Sequence, residues 1–224
     1  MMSPHVSSTP EAPPPKPTSS RTRQAGWRSL RALLPVAVAA DRRRTLTLWA
    51  LAGFILGAVA AAFASTAVQM QPAATILLAV LSGLAVGALV ARIALLSRPR
   101  RRVAQPRNDG RVPLAVQDVF ESKIDPASAS PDTQDFVRAS IAEQRQTLPA
   151  FILGELIDVA SSVCLALAAL LIPSDGFPFL SIVFAVLALT RLGTATALVH
   201  QLGRSALLLD RLDNSPARHE RTPE

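Results

Sequence analysis

The sequence predicts an all-α membrane protein with four transmembrane helices arranged as two hairpins, together with short cytoplasmic amphipathic helices. Half of the residues are hydrophobic and the mean hydropathy is +0.32, although the formal net charge is +7. A transmembrane helix needs about 20 apolar residues, and four stretches reach that length: Leu46–Val68, Ala73–Ala91, Leu148–Ile172 and Phe177–Val199. The basic residues gather beside the ends of these stretches. Apolar and basic residues are therefore segregated, as in a polytopic membrane protein.

Short connections pair the four stretches. Gln69–Pro72 joins the first two, and Pro173–Gly176 joins the last two. Such short turns suit antiparallel neighbours, and Gly176 can adopt the positive φ of a turn. We therefore expect one transmembrane hairpin within residues 45–97 and a second within residues 148–203.

The remaining segments are polar. Residues 1–25 are rich in Pro, Ser and Thr and predict a disordered cytoplasmic tail. Residues 26–44 form a basic juxtamembrane segment, in which Trp27, Leu30 and Leu34 predict a short interfacial helix that Pro35 ends; an irregular linker is the alternative. Residues 98–147 form a cytoplasmic loop and residues 204–224 an unstructured basic tail, with one possible interfacial turn just after Gly203.

The central loop carries two amphipathic patterns. The first has apolar residues at helical spacing and stops at Asp125-Pro126; its members are Val112, Val116, Val119, Phe120 and Ile124. The second begins at Pro131 and runs towards the third span near Pro149. Each apolar stripe needs cover from lipid, from the other helix or from a partner.

Charge asymmetry predicts the orientation. The basic residues flank the start of the first span and the ends of the second and fourth, whereas the two short turns have none. The positive-inside rule then places both termini and the central loop in the cytoplasm. Arginine supplies nearly all of the positive charge, since Lys16 and Lys123 are the sole lysines, and alanine is abundant. Both biases fit a GC-rich bacterial genome, so we expect a multi-pass protein of the bacterial cytoplasmic (inner) membrane.

Small residues recur four positions apart in the first hairpin. Gly53 and Gly57 lie in the first span, and Gly83 and Gly87 lie in the second. Glycine removes side-chain bulk and allows helix backbones to approach closely. The pattern predicts helix packing at these four glycines, either within one chain or between two copies.

Charged residues inside the second hairpin are the strongest functional clue. A charge near the middle of a bilayer costs about 2.5 to 3.5 kcal/mol on insertion scales, so it needs a partner or a role. An antiparallel hairpin places Asp158 opposite Arg191, which predicts an intramembrane charge pair, and Glu155 opposite Thr194, which makes Glu155 a candidate proton or ion site. Arg92, near the end of the second span, is expected to snorkel to the lipid headgroups; contact with Glu155 is the alternative.

No catalytic or cofactor motif occurs in the chain. There is no phosphate-binding loop, no GxSxG nucleophile and no HExxH or cysteine pair, and Cys164 is the single cysteine. We expect no enzyme activity, no cofactor and no metal. The position of the basic residues beside the spans favours the lipid bilayer over nucleic acid as the partner of these charges.

Two functions remain open on the sequence. The first is a non-enzymatic accessory, scaffolding or interaction component that binds a membrane-protein partner or itself. The second is a small oligomeric proton- or cation-coupled transporter that uses Glu155. In a third arrangement only the first hairpin spans the membrane, because the two acids make insertion of the second less favourable.

Overall fold

The computed structural model describes residues 18–38, 40–97, 114–121, 124–125, 128–172 and 177–214. Within these residues the secondary structure is helical, with no strand: α1 Ser19–Ala37, α2 Ala40–Ala67, α3 Pro72–Leu96, α4 Leu114–Phe120, α5 Pro131–Leu170 and α6 Phe177–Asp213. Four of these helices, α2, α3, α5 and α6, are long and apolar enough to cross a membrane. The predicted all-α class with four spanning helices is confirmed, and the chain is a multi-pass membrane protein.

The four long helices pack in the order α2, α3, α5, α6, each mainly against its neighbours in this row. Near the connection between α2 and α3, Ala61 of α2, Leu78 of α3 and Ala168 of α5 meet in a buried apolar cluster. Many large apolar side chains elsewhere on these helices are exposed, among them Leu56, Phe63 and Leu189. A bilayer is the solvent in which such faces are stable.

α2 and α3 cross at the four glycines. A Cβ atom added at Gly57 would lie 2.7 Å from the carbonyl oxygen of Ser82, and one added at Gly83 would lie 2.8 Å from that of Phe54. Gly53 and Gly87 are equally close to the opposite backbone. Packing is therefore backbone against backbone, which gives van der Waals contact where lipid supplies little hydrophobic driving force.

The connection between α2 and α3 begins with a tight turn that ends α2. Gln69 has a φ of +53°, its N–H donates to the carbonyl of Thr66, and the N–H of Met70 donates to that of Ser65. These two bonds form a Schellman motif, which satisfies the last carbonyl groups of α2. Pro72 then begins α3 at a position where its missing N–H costs no hydrogen bond.

At the ends of the helices where α2 begins and α3 ends, α5 and α6 extend into a second packed unit, here called the base. It consists of α1, α4, residues 131–152 of α5 and residues 199–213 of α6. One apolar cluster joins α1, α5 and α6 through Leu30, Leu148, Ile152, Val199 and Leu202. A second joins α4, α5 and α6 through Val116, Val119, Val137, Ile141, Leu208 and Leu212. The apolar faces of α4, of the first part of α5 and of the last part of α6 therefore bury one another.

Polar contacts fix the register of the base. The hydroxyl of Ser205 on α6 donates to Gln144 Oε1 on α5 at 2.6 Å. Arg204 donates to the carbonyl of Phe120 at the end of α4 at 3.0 Å, and Arg138 of α5 lies 3.5 Å from the carbonyl of Leu212. The contact of Ser205 is partly buried, whereas that of Arg204 is exposed.

The structure corrects the boundaries of the polar segments. Helix α1 begins at Ser19 and runs past Pro35 to Ala37, so disorder through residue 25 and a helix ending at Pro35 are wrong for these residues. The cause is tertiary packing, because Thr22, Gly26 and Leu30 form one buried stripe. α1 therefore packs on α6 and α5 rather than only lying at a lipid surface.

The predicted unstructured tail after Gly203 is also wrong as far as Asp213, because α6 continues to that residue. Leu208 and Leu212 supply the buried face that stabilises this extension. α5 likewise runs unbroken through Pro149, which is buried. The expected helix in the loop and the third span are thus one helix. α4 is shorter than its pattern, ending at Phe120, so Ile124 lies outside it.

Other expectations fall on residues outside the described ranges. These are the tail before residue 18, the basic part of the central loop at residues 98–113, the turn at residues 173–176 and the chain after residue 214.

The crossing of α1 and α6 yields a first prediction. A Cβ atom at Gly203 would overlap the carbonyl oxygen of Thr22 on α1, whereas one at Gly193 would meet nothing within 4 Å. Gly203→Ala should therefore push α1 away and destabilise the base by about 1 to 3 kcal/mol. Hydrogen exchange over residues 19–37 should rise.

Gly193→Ala is the matched control on the same helix. It should leave exchange in α1 unchanged and the stability equal or slightly higher, since alanine favours helix over glycine by about 1 kcal/mol. Unchanged protection of α1 in Gly203→Ala would contradict the packing described for the base.

Candidate functional site

Four charged side chains from three of the spanning helices meet in one place, here called the charge cluster: Arg92, Glu155, Asp158 and Arg191. α5 supplies both carboxylates from adjacent turns of one face. α3 supplies Arg92 from one side, and α6 supplies Arg191 from the other. The cluster thus joins the three helices α3, α5 and α6.

Each arginine contacts both acids. Arg191 Nη1 donates to both carboxylate oxygens of Glu155 at 3.3 Å, and its Nε lies 3.7 Å from Asp158 Oδ2. Arg92 Nε lies 3.0 Å from Asp158 Oδ1, and its Nη2 lies 3.9 Å from Glu155 Oε1. Two positive and two negative charges therefore balance within the cluster.

Arg92 Nε is a buried donor in ion-pair contact with Asp158, but the angle does not make a hydrogen bond. At 3.0 Å the two groups still attract each other electrostatically, because attraction between charges needs no angular alignment. The strongest directional contact of the cluster is then between Arg191 and Glu155.

The cluster lies within the spanning part of its helices, in the half nearer the base. Asp158 precedes Leu170, the last residue of α5, by twelve positions, which is about 18 Å along a helix. Arg191 follows Phe177, the first residue of α6, by fourteen positions, about 21 Å. Both distances are shorter than the roughly 30 Å of a hydrocarbon layer that begins near those ends. Mutual neutralisation is what lets such charges remain there.

The geometry differs from the sequence expectations in its pairing. The structure does bring Asp158 and Arg191 together, but Arg191 is closer to Glu155, which was expected to face Thr194. Glu155 is consequently in contact with two guanidinium groups rather than standing apart as a separate proton site. The predicted pairs came from the depth of each Cα atom along its helix. An arginine side chain is about as long as one helical turn, so Arg191 can reach Glu155 as well as Asp158.

For Arg92 the expected snorkelling is wrong, and the alternative, contact with Glu155, is the one that the structure shows, together with a contact to Asp158. Arg92 turns inward to the acids instead of extending to the headgroups. The reason is directional: Cα–Cβ bonds tilt towards the N-terminus of a helix, and the N-terminus of α3 is at the opposite end of the span. Charge counting favours this alternative over snorkelling, because two acids in the third span need two cations, and the sequence offers Arg92 and Arg191 near the same depth.

Beside the cluster lies a recess of about 240 Å³ between α3, α5 and α6. Arg92, Asp158 and Arg191 line one end, and Ser161 and Ser162 continue along α5. The remaining lining is apolar: Ala85, Val86, Leu89, Leu165 and Leu187. Ser161 donates its hydroxyl to the carbonyl of Ile157, so its hydrogen is engaged within α5.

The other residues of interest lie away from the cluster. The four glycines are at the contact of α2 and α3. Cys164 is a free, half-buried thiol in the span of α5. Among the residues that the structure describes, no group of three or more His, Cys, Asp or Glu side chains could hold a metal ion.

The cluster predicts a strong and specific dependence on Asp158. Asp158→Asn leaves two guanidinium groups facing one carboxylate in a largely buried site. Removing one partner of a buried ion pair costs about 3 to 5 kcal/mol, and the loss should appear as a lower resistance to unfolding in detergent. Adding Arg92→Gln should restore part of it, with a coupling energy of about 1 to 3 kcal/mol.

Asp135→Asn is the matched control. Asp135 lies on the same helix and pairs with Arg138, but its side chain is 77% exposed. Exposed pairs at this spacing contribute roughly 0.5 kcal/mol or less. If Asp158→Asn were no more destabilising than Asp135→Asn, the cluster would not hold the helices together.

Comparison with known proteins adds no relative from which a role could be transferred. No protein-family model matches the sequence, and neither a curated protein nor a solved structure matches the chain. The charge cluster, the recess and the row of spanning helices are therefore the features from which a function has to be argued.

Proposed function

We propose that this chain is a non-enzymatic accessory, scaffolding or interaction component of a membrane complex. The observation that carries the proposal is the charge cluster, in which both intramembrane acids contact both arginines and link α3, α5 and α6. Acids that are neutralised in this way stabilise the packing of the three helices. The exposed apolar faces of the row are then available for contacts with a partner.

The row of helices supports the same role. α2, at one edge, packs chiefly on α3, and α6, at the other, packs chiefly on α5 and α1. Both edges therefore present long exposed apolar faces, on which Phe63 and Leu189 are examples. Lipid covers such faces in an isolated chain, and helices of a partner or of a second copy cover them in a complex.

The proposal includes a location in the bacterial cytoplasmic (inner) membrane with both termini in the cytoplasm. The base lies at the end of the row where α2 begins and α3 ends, and its exposed arginines include Arg21, Arg23, Arg28 and Arg31 on α1. By contrast, the connection between α2 and α3 has no basic residue. Under the positive-inside rule the base is cytoplasmic.

The alternative is a small oligomeric transporter in which Glu155 couples proton or cation movement. The recess beside the cluster is the observation that favours it, because both arginines that contact Glu155 line this recess, where an ion could replace the Glu155 contacts. Glu155 would have to leave two guanidinium groups in each cycle. This requirement is why we rank the transporter second.

Extraction of the complex tests the accessory role. Protein tagged in its native membrane and released in polymer-bounded nanodiscs should carry a reproducible partner chain at fixed stoichiometry, with a mass above the 23.7 kDa of one chain. The same mass should recur in native mass spectrometry across preparations. A lone chain in every preparation would contradict the proposal.

Proton flux separates the two functions. Liposomes containing the purified chain and a pH-sensitive dye should show the same flux for the natural sequence and for Glu155→Gln if the chain is an accessory component. A flux that Glu155→Gln removes, at an equal amount of folded protein, would favour the transporter. Asp135→Asn, an acid-to-amide change on the same helix outside the spans, is the control.

A further inference from the structure

The recess has two chemically different ends. At the end near the base it is bounded by Arg92, Asp158 and Arg191, and towards the middle of the spans it is bounded by Ser161 and Ser162 and by apolar residues of α3, α5 and α6. Leu187 and Leu89 lie at its exposed margin. The recess is therefore open to the lipid side while its charged end lies within the row of helices.

The charged residues that line this recess are Arg92, Arg191 and Asp158, and the two arginines are the more exposed of the three. The arginine side chains are 24% and 37% exposed, for Arg92 and Arg191, whereas those of Glu155 and Asp158 are 12% and 10% exposed. Both hydrogen bonds that Arg191 donates come from Nη1. A guanidinium has five N–H donors, so Arg191 retains donors for a further acceptor.

The orientation matches one class of ligand. A guanidinium group binds phosphate through paired hydrogen bonds, and the apolar walls beyond it exclude a fully hydrated ion. The charged end lies on the base side of the spans, and the apolar end points to the middle of the bilayer. A phospholipid in the leaflet on the base side has the same order, with its headgroup outermost and its chain directed inward.

We propose that the recess between α3, α5 and α6 binds an anionic membrane phospholipid. The phosphate contacts Arg191 and Arg92, and part of one acyl chain lies along Ala85, Leu165 and Leu187. The bound lipid covers the guanidinium surface that the two acids leave open. This site does not depend on the accessory role, because it is read out from the purified chain without a partner protein.

The test is lipid retention by the full chain. Protein equilibrated with equal amounts of phosphatidylglycerol and phosphatidylcholine in mild detergent should retain the anionic lipid in preference, by about tenfold, in native mass spectrometry; tenfold corresponds to about 1.4 kcal/mol. Equal retention of the two lipids would overturn the role of the guanidinium groups.

A substitution that fills the recess locates the site. Leu187→Trp adds bulk at the margin of the recess, where Leu187 is 41% exposed, and should lower retained phosphatidylglycerol about tenfold. Leu192→Trp makes the same change on α6 at a residue that is 46% exposed and does not line the recess, and it should retain the lipid. Equal retention by the two variants would place the lipid elsewhere.

Inorganic phosphate distinguishes a lipid site from a site for a free anion. Phosphatidylglycerol should raise the unfolding temperature of the natural chain in detergent more than millimolar inorganic phosphate does, and Leu187→Trp should remove this difference. An equal rise with phosphate alone would overturn the lipid proposal. Circular dichroism of both tryptophan variants confirms that each is folded before the lipids are compared.

Discussion

Two carboxylates on the spanning part of α5 impose the constraint on which the rest of the structure depends. Glu155 and Asp158 lie on one face, where water cannot solvate both, and each uncompensated charge would cost several kcal/mol. The chain meets this cost by bringing one arginine from each side, so that α5 lies between α3 and α6. The electrostatic requirement thus sets which helices are neighbours.

Apolar packing then extends this core in both directions. Towards the connection between α2 and α3, Ala61, Leu78 and Ala168 pack together where α2, α3 and α5 meet. Towards the base, the helices that form the cluster continue beyond the membrane span and bury the stripes of α1 and α4. Gly26 and Gly203 allow α1 to lie against α6 at backbone distance. The base is therefore built on extensions of the same helices that carry the charges.

Local sequence was sufficient for the helical class and the four spans, because apolar length is a property of each segment alone. It was insufficient where contacts between helices determine the helix boundaries. Pro35 suggested a helix end, yet it lies within a helix that packing stabilises. The last turns of α6 looked unstructured because Leu208 and Leu212 have no visible partner in sequence.

The same distinction applies to the charge cluster. Asp158 and Arg191 were found from antiparallel depth within one hairpin, which needs no knowledge of other helices. Arg92 belongs to α3, and its contact with the acids depends on α3 packing against α5, which no local pattern specifies. The recess likewise arises from three helices together, so the lipid site could not be read from any one segment.

The most direct measurement is cysteine crosslinking of α3 to α5 in native membranes. With Cys164→Ala as background, Leu96→Cys and Gly154→Cys place thiols where α3 meets α5, since a Cβ at Gly154 lies 3.7 Å from Leu96 Cδ1. A short thiol crosslinker should join the pair efficiently, and Asp158→Asn should reduce the yield. Absence of the crosslink, or a yield that Asp158→Asn leaves unchanged, would contradict the account that the charge cluster holds α3 against α5.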